Sequence, residues 1–463
     1  MGKHDSGADR SRRHFLKQVG GIAVGTIVLG ACSDDNRAGL GAYASAASSL
    51  PSRYSFVPLI PGSSAPGLPG DFELSPLVML NNSGMLLLYG VTGERYGLFA
   101  FEMDIEAGKP KLRGTARTIL LTGTELADGR RVDSIDTVDI NDHGSIALVL
   151  GTDGEINTDR LALMGPGVYL SRERTAFEPV VRFGDRLPDS DGSFGGVFGD
   201  LVLQQHDNLL LSAMYADRDR KRLTPADTVF SGLFHLPSSR MNGVRNVVSS
   251  TSLLRGTDRS ISSFGLIDMA ESGEYAAQVF ASRPDEALDA LLRNQPDTSA
   301  GSYVIGSSVT DARGTINLYG AGAVPNRPAG DVYFGPRVTT DGRRAMVENY
   351  ADGQAVLYLD DTVVARTGSA SPLGNTIRGL SAPVTGPDGL LFFLLTLESG
   401  FELCVTNSKE TATILASGQP VGNRKIVTAT LGYHSDQADS EARLAFYAEF
   451  DDGSNAVVVG VPS

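Results

Sequence analysis

Seven times along the chain a short apolar strand runs into a glycine, mostly with a proline close behind: LIPGSSAP, LLTGTEL, RFGDRLP, LLRGTD, LYGAGAVP, ARTGSASP and LASGQP. The glycines are Gly62, Gly123, Gly184, Gly256, Gly320, Gly368 and Gly418, 48 to 72 residues apart. A period of this size marks a repeat architecture, whose units bury their faces against one another. Roughly twenty residues after each glycine comes a tight polar turn that opens an alternating apolar run. These runs read NNSGMLLLY, NDHGSIALVL, QHDNLLLSA, ESGEYAAQVF, TDGRRAMVENY, GPDGLLFFLL and a longer version, HSDQADSEARLAFYAEF. The residues before each polar turn form one strand and those after it a second, joined by hairpin chemistry. A third strand follows, as in RYGLFAFEM, PGVYLS, SGLFHLP, AVLYLDD and NAVVVGVP, and a fourth runs into the next glycine. Four antiparallel strands per unit describe the blade of a β-propeller.

The ends of the chain complete the pattern. The last unit has only three strands, whereas RYSFVPLIP at 53–61 is an orphan strand ahead of the first unit. Pairing the two closes the ring and removes its open edge. The expectation is an all-β, seven-bladed propeller over 53–463, with six and eight blades as alternatives because the fourth and seventh units are irregular.

Ahead of the repeat, residues 11 to 17 read SRRHFLK, and Arg12, Arg13, Phe15, Leu16 and Lys17 match the twin-arginine export signal. The apolar stretch at 19–31 is shorter than the ~20 residues that span a bilayer. It ends in LGAC, which resembles the bacterial lipobox, in which the cysteine takes a diacylglyceryl group and becomes the acylated N-terminus. The resemblance implies a signal peptide over 1–31, a lipidated Cys32, and localisation in the bacterial cell envelope, facing the periplasm or the exterior. Ser33 after the cysteine implies outer-membrane sorting, while Asp34 and Asp35 leave inner against outer membrane open. The Ala-, Ser- and Gly-rich stretch to residue 52 reads as a flexible tether.

The formal charge is −14, and the signal carries an excess of basic residues, so the mature body is more acidic still. That balance argues against nucleic-acid partners and against direct adsorption to anionic lipid. Only two cysteines exist; with Cys32 lipidated, Cys404 in FELCVTN has no intramolecular partner and reads as a buried thiol. Tryptophan is absent, which disfavours sugar-stacking platforms.

With NDHGSIALVL at 141–150, RFGDRLPDSDGSFGG at 182–196, and the Phe-Gly pairs at Phe198, Phe264 and Phe334, most of 53–463 resembles a family of secreted bacterial repeat β-propellers. Their units read NDxG, an alternating strand, and a Gly-Asp-x-x-Pro loop. The resemblance implies a fold and is silent on activity.

Candidate chemistry is sparse. His143, His206 and His434 lie in or beside polar turns of separate units, too far apart to share a zinc at about 2 Å; His235 in GLFHLP reads as a strand residue. Aligning the innermost strands puts Asp139 and Asp268 at one matching position with Asp136 and Asp200 close by, so these four are the candidate channel carboxylates. A hard cation needs six or more oxygens, so calcium is the chemistry such a ring would suit, against the alternative that these acids cap turns. DSDG at 189–192 opens like a calcium loop but lacks its closing glutamate, and reads as a turn. A mixed-charge loop is expected at 217–227 and a short helix, capped by Ser282, at 284–294. No GxSxG elbow, phosphate loop or CxxC is present. The expected function is a monomeric, lipid-anchored envelope scaffold that binds a protein or small ligand, with no cofactor required. The alternative is a metal-dependent hydrolase or lactonase with carboxylates at the channel.

Overall fold

The computed structural model describes residues 50–51, 53–62, 65–152, 167–172, 174, 176–182, 184–187, 192–216, 229–238, 244–250, 252–254, 257–283, 301–309, 317–319, 331–432 and 438–463. The export segment, Cys32, residues 33–49 of the tether, the loop at 217–227, the helix expected at 284–294, residues 189–191 and His434 lie outside them. Of the side chains in the Phe-Gly pairs, those of Phe198 and Phe334 also lie outside. Among the described residues there is almost no helix, and none is long and apolar enough to cross a membrane.

The strands form seven antiparallel sheets, in which chain order is spatial order except where β1 joins the outer edge of the last sheet. Blade 1 is β2 (Glu73–Leu80), β3 (Met85–Thr92), β4 (Arg95–Glu106) and β5 (Lys109–Leu121). Blade 2 is β6 (Val132–Ile140), β7 (Ile146–Thr152), β8 (Gly167–Ser171) and β9 (Glu178–Arg182). Blade 3 is β10 (Ser193–Leu203), β11 (Leu209–Ala216), β12 (Val229–Leu236) and β13 (Arg245–Ser249). Blade 4 is β14 (Ser260–Met269), β15 (Glu274–Ser282), β16 (Gly301–Ser308) and β17 (Asn317–Tyr319). Blade 5 is β18 (Asp331–Val338), β19 (Arg344–Asn349), β20 (Ala355–Leu359) and β21 (Thr362–Arg366). Blade 6 splits its innermost strand into β22 (Ile377–Leu380) and β23 (Val384–Thr385), both paired with β24 (Leu391–Leu397), and adds β25 (Phe401–Thr406) and β26 (Thr411–Ala416). Blade 7 has β27 (Pro420–Val421), β28 (Arg424–Thr430), β29 (Leu444–Phe450), β30 (Asn455–Pro462) and, outermost, β1 (Tyr54–Pro61). The fold is the expected seven-bladed propeller.

The second strand of each blade explains the packing. β7 (IALVLGT) is buried at every position and β24 (LFFLLTL) at its first five, because a neighbouring blade covers each face of the sheet. Buried apolar clusters fill the seams around the ring, with Leu87, Leu98 and Tyr169 between blades 1 and 2, Leu211 and Leu170 between blades 2 and 3, and Phe392 and Val458 between blades 6 and 7. Each such side chain contributes about 1.5–3 kcal/mol on burial. This core works without a disulfide, since Cys404 is free and buried.

Strand direction gives the ring two distinct faces. The innermost strand of blades 1 to 6, and β28 in blade 7, lead into the polar turns, so these turns share one face, the turn face. The glycine loops, which enter the innermost strands, share the other, the loop face. The register slips within the innermost strands of blades 1 to 5, for example between Ile135 and Thr137 and between Phe264 and Ile267. Bulges of this kind sharpen twist and re-aim side chains where strands crowd round a channel. The turns themselves need glycine: at Gly84 (φ +80°) an added Cβ would stand 2.4 Å from the Met103 carbonyl oxygen.

Closure follows the orphan-strand expectation. β1 pairs with β30 from Tyr54↔Pro462 to Pro61↔Ala456, and Gly62 N–H donates to Asn455 O at 3.0 Å. The Phe56 ring meets Phe446 edge-on at 6.0 Å. Deleting residues 53–61 strips β30 of its partner and leaves it as an open edge. The truncated protein is expected to self-associate, seen as a shift from a monomeric peak to oligomers in size-exclusion chromatography with light scattering; an unchanged monomeric peak would refute this role of β1.

Candidate functional site

The polar turns on the turn face are tied to one another from blade to blade. In the first position of the turn stand Asn81, Asn141 and Gln204 of blades 1 to 3, all buried. The Asn81 side-chain oxygen accepts the Met85 N–H at 2.8 Å, closing its own turn, while its Nδ2 donates to Asn141 O of the next blade at 2.8 Å. Asn141 repeats this, accepting from Ser145 N–H at 2.9 Å and donating to Gln204 O at 3.1 Å and Asp207 Oδ1 at 2.9 Å. Gln204 Nε2 donates on to Ala270 O of blade 4 at 2.5 Å. One carboxamide thus satisfies a turn with its oxygen and clamps the next blade with its nitrogen, using both halves of the group.

A second tier runs through the next position. The Ser440 N–H of blade 7 donates to Asn82 Oδ1, Asn82 N–H to Asp142 Oδ1 at 2.7 Å, Asp142 N–H to Gln205 Oε1 at 2.8 Å, and Gln205 N–H to Glu271 Oε1 at 2.9 Å. The side chain of each blade here receives the backbone of the blade before it. Further round, Arg343 of blade 5 donates to Gly389 O at 3.1 Å and Ser408 Oγ at 3.1 Å, both in blade 6.

The third tier is where the sequence placed its candidate carboxylates. Asp139 accepts from Ile140 N–H at 3.0 Å and, across the seam, from Leu203 N–H at 2.7 Å. Asp268, at the equivalent place in blade 4, accepts from Met269 N–H at 3.0 Å and Val338 N–H at 2.7 Å. Asp200 accepts from Leu201 N–H at 2.9 Å and from the Ile267 N–H of blade 4. These three are buried, and each ties its blade to the next. Asp136 is exposed, accepts from Ser134 Oγ at 3.1 Å, and does not join them.

Burial pushes the Asp200 and Asp268 carboxyls above the usual carboxylate range, against the opposing pull of the Arg337 charge and of the backbone N–H groups. Asp200 also raises Asp268, so the two share one electrostatic environment. Arg337 is 2% exposed, makes no ion pair among the described residues, and its Nε has no hydrogen-bond partner. Its charge acts on both carboxyls through the low-dielectric channel rather than by direct contact.

Where the tiers meet the channel mouth there is a cavity of about 110 Å³, walled by Asn82, Asp139, Asp142, Gln205 and Glu271 and floored by Val202 and Met269. Enclosing a drug-sized ligand takes roughly 300–1,000 Å³. The mouth therefore has room for a small polar group. A second hollow of about 170 Å³ lies between blades 2 and 3, apolar at Leu170, Val180 and Leu236 and rimmed by the Arg172–Asp207 ion pair at 3.0 Å.

The remaining sequence candidates are placed as follows. Among the described residues no group of three or more His, Cys, Asp or Glu is arranged to hold a metal. Burial pushes the Cys404 thiol up to about 12. His143 and His206 are exposed on adjacent turns, and His235 lies in β12 with its pKa lowered by burial and by Arg245. Sequence reasoning missed Asn82, Asp142, Gln205, Glu271 and Arg337. The signal for the first four was the recurrence of a polar side chain at the second position of the turn.

No protein-family model and no curated protein matches this sequence. Solved structures do resemble it in shape. The polysaccharide lyase Uly1 is 10% identical, with a TM-score of 0.44 over 84% of this chain and 90% of its own. The Dos1 propeller is 10% identical, with a TM-score of 0.41 over 88% and 96%. A protein of unknown function from Dyadobacter fermentans is 9% identical, with a TM-score of 0.36 over 88% and 98%. The fold assignment rests on the strand topology of this chain itself.

Two outcomes follow. Asn141→Ala removes both a turn closure and a seam clamp at a buried position, and is expected to cost about 2–4 kcal/mol in urea unfolding; a loss below 0.5 kcal/mol would show that the clamp is idle. Asp200 has a folded pKa above its unfolded value near 3.9, so its contribution to stability is full below that value and is lost as pH rises through the folded one. Asp200→Asn, which stays neutral, is expected to gain on the wild type as pH climbs from about 4 to 8, read as the difference between their unfolding free energies; the opposite trend would contradict the raised pKa.

Proposed function

We propose that this protein is an exported, lipid-anchored propeller of the bacterial envelope, akin to the secreted repeat propellers its units resemble. On this reading it serves as a rigid scaffold that accepts a small polar ligand, or the polar tip of a partner protein, at the channel mouth. The observation that carries the proposal is the use of the buried carboxylates: Asp139, Asp200 and Asp268 each receive backbone N–H groups from their own and the neighbouring blade. Groups engaged in that way hold blades in register and present a pre-organised face. The SRRHFLK and LGAC segments support export and anchoring through Cys32.

A second reading, a divalent-cation hydrolase or lactonase, would draw on Asp139, Asp142 and Glu271, which line one cavity but are not arranged to hold a metal. Metal analysis of the purified 53–463 protein, with thermal unfolding before and after chelation, separates the two. A ligand bound only by the native state adds about 2.7 kcal/mol at a hundred times its Kd, so its removal lowers the melting temperature. Protein free of stoichiometric metal and indifferent to chelator is the result expected of the scaffold. A stoichiometric metal whose loss lowers the melting temperature would overturn the scaffold reading in favour of the hydrolase.

A further inference from the structure

Both ends of the folded chain are fixed at the rim of the turn face. β1 begins there, because it runs antiparallel to β30, which starts at the loop face and ends at Pro462. Ser463 N–H donates to Arg53 O at 3.0 Å. Tyr54 Oη donates to Ala442 O, in the polar turn of blade 7, at 3.0 Å, and its ring meets Phe392 edge-on at 6.3 Å. Leu50 packs against the apolar cluster of the blade 6–7 seam. The chain therefore leaves the propeller toward its N-terminus from the same face on which the channel mouth and the hollow between blades 2 and 3 open.

We propose that the turn face is apposed to the bilayer that holds the protein's own lipid, with the loop face directed away. This rests on the reading of Cys32 as the anchor. Seventeen residues, 33–49, then separate the acylated cysteine from the docked Leu50. At about 3.3–3.6 Å per residue they reach roughly 60 Å when taut. A chain rich in small residues of that length has a root-mean-square span of about 20–25 Å. The eight residues of β1 give a blade height of about 26 Å, at about 3.3 Å per residue. With the turn face down, the relaxed span suffices. With the loop face down, the chain must first climb past the full height of a blade, which takes its whole relaxed span before any clearance from the bilayer. The acidic charge of the body keeps it from adsorbing by another surface to an anionic leaflet, so the exit point of the chain decides the orientation. A small occupant of the channel mouth then enters through the gap beside the membrane, and a globular partner is left with the loop face.

The test uses the full lipidated protein in phosphatidylethanolamine–phosphatidylglycerol vesicles that carry an acceptor dye on the headgroups. Donor dyes are attached through single variants at exposed sites: Ser272→Cys and Thr340→Cys on the turn face, Glu94→Cys and Ala351→Cys on the loop face. Cys404 stays unlabelled, being buried with its thiol pushed up to about 12. Energy transfer is expected to be several-fold higher from the two turn-face sites. Equal transfer from all four, or higher transfer from the loop face, in protein that floats with the vesicles overturns the orientation alone. Protein that carries no acyl group by mass and fails to float overturns the anchor reading, and with it this proposal; the two failures are read from different measurements.

Discussion

A blade of this propeller is a sheet with no free face. Because both sides of its second strand are apolar, as in β7 and most of β24, each blade is stable only when flanked by two others, and that requirement propagates until the ring shuts. Everything at the turn face answers to it. Packing sheets face to face brings the ends of seven innermost strands together, and their backbone groups, cut off from water, must find partners across the seams. The carboxamides of Asn81, Asn141 and Gln204 and the carboxylates of Asp139, Asp200 and Asp268 are those partners.

The clamps recur from seam to seam but differ in chemistry. Blades 1 to 4 are joined by carboxamides, and that run stops at Ala270, whose methyl group has no donor to pass it on. Blade 5 reaches blade 6 through the guanidinium of Arg343 instead. In blade 6, Glu402 closes a different contact, accepting from Ser371 Oγ at 2.5 Å, Thr413 Oγ1 at 2.6 Å and Asn375 Nδ2 at 3.0 Å. Burial would raise its pKa, and these donors outweigh burial and hold it low. The seams at the turn face are thus bridged in two ways in one ring, by carboxamides and by a guanidinium, whereas Glu402 ties the entering loop of blade 6 to its own sheet.

The fold was legible in the sequence because its signals are local: an apolar run, a polar turn and a glycine sit within a few residues of one another. Closure was legible for the same reason, since RYSFVPLIP is a strand without a hairpin and NAVVVGVP ends a unit one strand short. The seam clamps were not. Asn82 and Asp142 are 60 residues apart, and Gln205 and Glu271 are 66 apart, so each pair is in phase with the repeat yet invisible to any short window. Alignment of the units did find the equivalence of Asp139 and Asp268. It could not reveal their partners, because Leu203 and Val338 contribute only backbone N–H groups, which any residue except proline would supply.

The pairing of β1 with β30 also sets an order in time. The first strand to leave the ribosome is the last to find its partner, which follows it by about 400 residues. At about 5–20 residues per second that interval is roughly 20 to 80 s. Throughout it, six blades can assemble while the ring stays a horseshoe, with the N-terminal strand waiting for its edge partner. The last seam of the ring therefore closes only after β30 has been made, however early β1 is ready.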